Sequence, residues 1–365
     1  MRAESAPFEP PFCPATDCPC HHSGRAWRYR RIGFYTRQAP PSRIQRYQCR
    51  HCRRRFSTQT FSTTYWLRRP ELLLPIAHRI LGCSGFRQIA REFRVSPQTV
   101  LGQVARLGRH ALLFQHHHRP RGPLGEPLAL DGFESFEFSQ YHPCHFHLVA
   151  GRTSHFFYAF TDSELRRKGR MTDRQRRRRA QLEARFGRPA PGTLPGDVAQ
   201  ALALAVPDPQ PLTLHSDDHP AYPAARRRLP HYRIAHHVTP GAARRTPRNP
   251  LFEVNLLDLL IRHGSANHKR ETLAFSKRRQ SAAERLALFQ VWRNFVKCFS
   301  ERARDRTPAQ RLGLCAQPLS LEAVFAHRLL PSRVRLPERL ERYYRRAIVT
   351  RRIPRGRTHR LRYAD

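Results

Sequence analysis

Acidic side chains are scarce in this sequence, and so is lysine. The 365 residues contain 27 aspartates and glutamates against 67 lysines and arginines, which gives a formal net charge of +40 and a pI near 11.5. With only four lysines, arginine carries the charge, and genome composition alone can enrich arginine, alanine and proline. It does not explain the depletion of acids, however, and guanidinium groups bind phosphate in a bidentate way. The charge therefore predicts a polyanionic partner, most simply nucleic acid.

Long apolar runs are also missing. No run reaches the roughly 18 residues of a membrane span, and the first residues lack the apolar stretch of a signal peptide. We therefore expect no membrane partner and a location in the cytoplasm, associated with the nucleoid. In such a compartment the nine cysteines favour metal binding or free thiols over disulfides. The length predicts one large domain with one or two small ones.

Five of the cysteines lie in the first 52 residues and predict a zinc site. Four of them form two pairs, which are Cys13 with Cys18 and Cys49 with Cys52. The pairs are separated by 30 residues that hold strand-like segments, so they can close a tetrahedral thiolate site. The first pair is widely spaced, and three neighbours compete for one ligand position, namely Cys20, His21 and His22. The alternative is a set of unpaired buried cysteines. We expect a zinc ribbon over residues 1–62, which is a folding device of binding modules.

Residues 63–115 carry the pattern of a helix-turn-helix DNA-binding domain. Two short amphipathic segments flank Ser96-Pro97, which supplies a helix N-cap and a first-turn proline. In such a motif the second helix reads base edges, and the first contacts phosphates. The candidate DNA-binding residues are Gln98, Thr99 and Gln103 for bases, and Arg87 and Arg91 for phosphates. An ordinary helical hairpin is the alternative. After a zinc ribbon in a basic chain, DNA binding is the favoured interpretation.

A tract rich in histidine, proline and glycine at residues 116–126 predicts a linker. Beyond it, residues 127–300 alternate between strand-like and helix-like segments. Three successive strands precede a basic helix, a short alanine-leucine helix and a strand that delivers Asp217, and then come a helix, a strand and an apolar helix. This order is typical of an α/β, ribonuclease-H-like catalytic core. Residues 301–365 predict a helical, basic C-terminal region.

Three carboxylates are predicted to meet in this core. Asp131 and Asp217 lie where short apolar strands stop, and Glu253 opens the apolar helix, with 35 residues between it and Asp217. Hard oxygen ligands of this kind suit Mg²⁺ or Mn²⁺ in phosphoryl transfer. Glu253 is preferred as the third acid because it shares a helix face with leucines that bury against the sheet. The rival residues are Asp258, which has Arg262 four positions on as an ion-pair partner, and Asp218 in place of Asp217.

Several segments of the chain share the pattern of one protein family. They are the second cysteine pair with its run into Phe56-Ser57, the stretch Ser216 to Tyr222, the block Asn255 to Lys277, Trp292 to Asn294, and Thr307 to Gly313. Together they resemble the DDE transposases of bacterial insertion sequences that have an N-terminal zinc ribbon and a helix-turn-helix. In the family pattern an aspartate precedes the tyrosine by five positions, which selects Asp217.

The resemblance implies a DNA transposase. Such an enzyme uses Mg²⁺-activated water to cut the ends of its element, and the freed 3′ hydroxyl then attacks target DNA. The implied partners are the terminal repeats of the element, the target DNA, and at least one further copy of the chain, because two ends must be joined. Arg270, Lys277 and Arg278 would hold the transposon end beside the metals.

Two other functions fit part of the pattern. A non-catalytic DNA-binding regulator, or an inactive transposase remnant, would keep the zinc ribbon and the helix-turn-helix with purely structural carboxylates. An RNA-binding protein or ribonuclease would share the charge and the metal site. Convergence of Asp131, Asp217 and one helix acid favours a catalyst over a regulator.

Overall fold

The computed structural model describes residues 8–22, 27–269, 272–300 and 306–350. Within these ranges the chain is a mixed α/β protein with a three-stranded sheet near the N-terminus and a five-stranded sheet in the middle. The predicted contact residue Arg270 and the basic tail from residue 351 onward lie outside the described residues.

The N-terminal sheet is built around aromatic side chains. Its antiparallel strands are β1 (Tyr29–Thr36), β2 (Arg43–Cys49) and β3 (Arg55–Ser57). Tyr47 and Phe56 are paired across β2 and β3, and their rings stack with centroids 5.5 Å apart. A sheet this small buries little apolar surface, so aromatic rings and the neighbouring cysteines form its core.

Three helices follow, and the third is much longer than the amphipathic pattern indicated. They are α1 (Leu73–Leu81), α2 (Phe86–Glu92) and α3 (Pro97–His117). The predicted N-cap is present, since the Ser96 hydroxyl accepts a hydrogen bond from the Thr99 N–H at 3.1 Å. Helix α3 then continues for 21 residues. At its far end, the Gln115 side chain accepts a hydrogen bond from Asn294 at 3.1 Å.

The second half of α3 packs against a buried helix, α8 (Arg279–Val291). The two helices approach so closely that a Cβ atom at Gly108 would lie 2.3 Å from the carbonyl oxygen of Glu284. Glycine is therefore required at this crossing. The chain after α8 widens into a π-helical turn (Trp292–Val296). There Asn294 accepts a hydrogen bond from the Phe157 N–H at 2.8 Å and donates one to the Phe157 carbonyl oxygen at 2.9 Å.

The central sheet combines a meander with two parallel additions. Its strands are β4 (Leu128–Phe136), β5 (Pro143–Gly151), β6 (Phe157–Glu164), β7 (Leu212–Asp217) and β8 (Ile234–Thr239), in the spatial order β6-β5-β4-β7-β8. Short turns make β4, β5 and β6 antiparallel, whereas helical crossovers bring β7 and β8 parallel to β4. The carboxyl ends of β4 and β7 consequently point the same way.

Helices cover both faces of this sheet. The remaining helices are α4 (Asp173–Phe186), α5 (Thr193–Ala205), α6 (Ala221–Arg226), α7 (Phe252–Gly264), α9 (Pro308–Arg311), α10 (Leu321–Phe325) and α11 (Glu338–Tyr344). One hydrophobic core runs from Leu72 to Ile348, so the helices before the sheet share packing with it. The predicted domain boundaries stay a prediction. In the described ranges, no helix has the length and apolar character needed to cross a membrane.

Candidate active site and metal-binding residues

The four predicted cysteines come together at the edge of the N-terminal sheet. Cys13 and Cys52 have sulfur atoms 3.6 Å apart, and those of Cys18 and Cys49 are 3.9 Å apart. Four ligands held at about 2.3 Å around a tetrahedral zinc ion are separated by about 3.8 Å, so the spacing fits zinc. All four sulfur atoms lie within 4.8 Å of one another, a grouping that no other set of three or more potential ligands reaches among the described residues.

Cys20 and His21, which compete in the sequence for one ligand position, have other roles in the structure. The buried ring of His21 shares a hydrogen bond with the Cys13 carbonyl oxygen at 2.7 Å through Nδ1, and Cys20 contributes its carbonyl oxygen to the Cys13 N–H. On the other side, Arg53 adopts a left-handed backbone conformation and donates its N–H to the Cys49 carbonyl. The backbone turns thus direct the four thiols inward, and the set could hold zinc.

Asp131 and Asp217 lie on neighbouring parallel strands. The register of β4 and β7 ends with Leu130 opposite Ser216, and the two aspartates are the next residues along each strand. Adjacent strands are about 4.8 Å apart, and equivalent positions face the same side of a sheet. The His219 N–H donates a hydrogen bond to Asp217 Oδ1 at 2.9 Å, which orients that carboxylate.

The electrostatics of Asp131 show which acids are close to it. The pKa of Asp131 is raised from 3.8 to about 6, chiefly by burial and also by the charges of Asp217 and Asp258, against the lowering effects of the Gly132 backbone N–H and of Arg245. Burial and the same two strand acids, Asp131 and Asp217, also raise the pKa of Tyr222. Asp131, Asp217 and Asp258 therefore form one interacting group, with Tyr222 packed beside it.

Helix α7 sets which of its acids reaches this group. At its start, Glu253 lies 3.5 Å from the Arg152 guanidinium. The backbone N–H of Arg152 donates a hydrogen bond to the carbonyl oxygen of Pro127, the residue just before β4. Further along, the Arg262 guanidinium lies 5.3 Å from the ring centroid of Phe133, near the middle of β4. The helix thus runs in the direction of β4, and Asp258 lies between these two contacts along it.

The two candidate acids of α7 have different partners. Asp258 accepts two hydrogen bonds from Arg262 Nε, at 2.9 and 3.1 Å. Glu253 is paired with Arg152, which also contacts the His215 ring at 3.1 Å, and burial raises the pKa of Glu253. The buried stripe of α7 is Val254, Leu257 and Ile261. Glu253 is thus paired with an arginine near the start of β4, and which of the two acids is the third ligand stays a prediction.

The carboxylates are spread more widely than ligands of a single small ion. They are absent from the groups of potential ligands that lie within 4.8 Å of one another in the described chain. A pair of metal ions about 3.5 to 4 Å apart has a wider ligand set, in which outer carboxylates bind separate ions. In the described chain the three acids therefore do not meet as the ligands of one ion.

The predicted DNA-binding residues are only partly exposed. Arg87, Arg91 and Gln98 are exposed, and Thr99 is half-buried where its N–H caps α3. Gln103 is 3% exposed, and its amide points to the Arg69 carbonyl oxygen at 3.4 Å. The burial of α3 removes Gln103 from the surface, so it is not presented to bases as predicted.

Residues that follow α7 lie near the same end of the sheet. Lys277 is exposed and Arg278 is half-buried. The segment before them is anchored by His268, whose ring packs edge-on against Phe133 with centroids 5.5 Å apart. Arg245 beside Asp131 was missed as a site residue, although the run of arginines after β8 was visible in the sequence.

Comparison with known proteins adds little. No protein-family model matches the chain, and no curated protein matches it. Among solved structures, it is similar to a chain of the cryoEM structure of the simian T-cell lymphotropic virus intasome in complex with the PP2A regulatory subunit B56 gamma. The identity is 15% and the TM-score is 0.27, over 68% of this chain and 76% of that chain.

Proposed function

We propose that this protein is a metal-dependent DNA transposase of an insertion sequence, which cuts the ends of its element and joins them to target DNA. The observation that carries the proposal is the interacting group of Asp131, Asp217 and Asp258, delivered by two adjacent parallel strands and one helix. The strand order β6-β5-β4-β7-β8 supports a ribonuclease-H-like core, in which acids at these positions face one side of the sheet.

The donor set suits Mg²⁺ or Mn²⁺. Carboxylate oxygens are the ligands such hard ions prefer, and three clustered carboxylates supply the negative charge that a pair of dications compensates. When bound, the ions would activate water or a 3′ hydroxyl and stabilise charge on the reacting phosphate. The chain contributes the orientation of Asp217 through the His219 N–H and a positive group, Arg245, close to Asp131.

We assign the third carboxylate to Asp258 and a positioning role to Glu253. Asp258 raises the pKa of Asp131, as an acid of the same group must. Glu253 instead ties the start of α7 to Arg152, and that contact fixes how far along β4 the helix lies. Loss of Glu253 would thus shift Asp258 without removing a ligand.

The remaining surfaces suit DNA as the substrate. The exposed side chains of Arg87, Arg91 and Gln98 lie at the helix-turn-helix, and Lys277 and Arg278 follow the segment that packs on β4. A net charge of +40 would hold DNA nonspecifically, with affinity that falls steeply as salt rises. Joining two element ends requires at least two copies of the chain.

The decisive experiment compares cleavage by wild type and single-acid variants. Labelled duplexes that carry the candidate terminal repeats flanking the coding sequence are incubated with Mg²⁺, with Mn²⁺, or without divalent metal. We expect metal-dependent nicking by wild type and a loss of more than about 100-fold for Asp217→Asn, a larger effect than the 10- to 100-fold loss typical of outer-shell partners. Asp218→Asn is the matched control and should retain most of the activity. Equal nicking by wild type and Asp217→Asn would refute the proposal, and tight repeat binding without any nicking would favour a non-catalytic regulator.

A further inference from the structure

A second basic region lies at the opposite end of the central sheet from the carboxylates. It is a cleft of about 700 Å³ bounded by the segment between α3 and β4, the loop before β7, and residues at α9 and before α11. Asp208 and Gln210 of the loop before β7 line it, whereas Asp217 ends the same strand. A strand of this length spans roughly 17 to 20 Å, so one group cannot serve both sites.

Arginines from separate parts of the chain converge on this cleft. They are Arg119, Arg121, Arg311, Arg333 and Arg335. Among its described lining residues, Asp208 is the one carboxylate. Two of these arginines donate hydrogen bonds to neutral acceptors. Arg311 donates to the Thr153 carbonyl oxygen at 2.8 Å, and Arg333 donates to the His21 carbonyl oxygen at 2.5 Å. The positive charge is therefore not balanced within the described part of the cleft.

Such convergence of like charges opposes folding. Burial and then Arg121 lower the pKa of Arg119 against the raising effect of Asp208, and burial followed by Arg121 and Arg333 lowers the pKa of His117. The same protein balances arginine elsewhere. Buried Arg279 lies within 3.3 Å of carboxylate oxygens from three acids, namely Glu137, Asp162 and Glu164. A cluster left without such acids is explained by a partner that brings negative charge.

We propose that this cleft binds the phosphate backbone of a DNA segment remote from the cut. The inference rests on the proposed function for the identity of the polyanion, while the cleft and its charge stand independently. Its lining of arginines, prolines and glycines suits phosphate contacts, which position a duplex without reading its sequence. Arg121 and Arg335 are exposed at its rim and are the residues expected to meet the backbone.

The test compares two variants that lose equal charge. The cleft variant combines Arg121→Gln with Arg335→Gln, and the control combines Arg227→Gln with Arg233→Gln, two exposed arginines outside the cleft. Affinity for a long random-sequence duplex is measured by fluorescence anisotropy between about 50 and 200 mM salt, without divalent metal, so that catalysis plays no part. Thermal melting checks that both variants fold.

We expect the cleft variant to bind more weakly and its plot of log affinity against log salt to lose up to about 1.8 of its slope, about 0.9 for each lost phosphate contact. The control should keep nearly the wild-type slope. Equal changes in both variants would overturn the proposal, since net charge alone would then explain them. An unchanged DNA slope with lost binding of inorganic pyrophosphate would also overturn it and indicate a small-anion site. If the wild type cleaves DNA while both variants bind like it, the cleft inference fails and the proposed function stands.

Discussion

Replacing Asp131 by asparagine is expected to make the protein more stable while abolishing cleavage. The reason is that Asp131 is ionised at neutral pH in a place that disfavours its charge. Burial raises its pKa from 3.8 to about 6, and the neighbouring charges of Asp217 and Asp258 contribute to that rise. An asparagine amide has nearly the same shape and no charge.

The sign and the magnitude follow from proton linkage. The folded state holds the proton of Asp131 more tightly than the unfolded chain does, so folding stability falls as the pH rises from about 4 to 6 and stays lower above that range. A rise of this size corresponds to about 3 kcal/mol. Because the asparagine variant cannot ionise at this position, we expect it to be about 2 to 3 kcal/mol more stable at pH 7. The difference should shrink to about half at pH 5.

Urea unfolding followed by circular dichroism measures this difference. Both proteins are compared at pH 7 and pH 5 in magnesium-free buffer without chelator, which leaves any zinc at the cysteines in place. Added Mg²⁺ should stabilise the wild type and leave the Asp131→Asn variant unchanged, because a bound dication compensates the same repulsion. The reasoning would be refuted if the Asp131→Asn variant were no more stable than the wild type at pH 7, or if the difference in their free energies of unfolding did not depend on pH.

Three further predictions concern α7, the cysteines and the α3–α8 crossing. Asp258→Asn should remove Mg²⁺-dependent cleavage, whereas Glu253→Gln should lower the cleavage rate by about 10-fold and keep its dependence on Mg²⁺. The reverse ranking in cleavage assays would make Glu253 the third carboxylate of the metal site. Cys49→Ser should lose the bound zinc measured by elemental analysis, and full zinc content would contradict the four-cysteine site. Gly108→Ala should lower the free energy of unfolding by about 1 to 3 kcal/mol, because its Cβ would lie 2.3 Å from the Glu284 carbonyl oxygen. An unchanged midpoint of urea unfolding would contradict the close crossing of α3 and α8.

Much of the sheet could be predicted because its signals are local. Alternating and apolar runs bounded by turn residues indicated the strands, and an acid at the end of such a run indicated Asp217. The neighbouring positions of Asp131 and Asp217 then followed from the order of the elements. The N-cap at Ser96 was equally visible, because it depends on residues next to one another in the chain.

The features that could not be predicted depend on contacts between distant segments. Helical periodicity gives the face of α7 but not its position along β4, which is set by Arg152 and by the packing of Val254, Leu257 and Ile261. The preference for Glu253 over Asp258 rested on the helix face and on the ion pair expected between Asp258 and Arg262, and neither gives that position. Gln103 lies on a helix that is buried by other helices, and a short amphipathic pattern does not record that burial.

The length of α3 has a mechanical consequence. Its first turn presents the exposed Gln98, and about 26 Å further on Gln115 is fastened through Asn294 to a strand of the central sheet. Under the proposed function, a single unbroken helix of this kind would keep the DNA-binding turn and the catalytic acids at a constant separation. With DNA bound at the first turn of α3, the helix would fix the distance between the recognised sequence and the bond that is cut. Inserting or removing base pairs between the recognised sequence and the cleavage site should then abolish cleavage rather than shift its position.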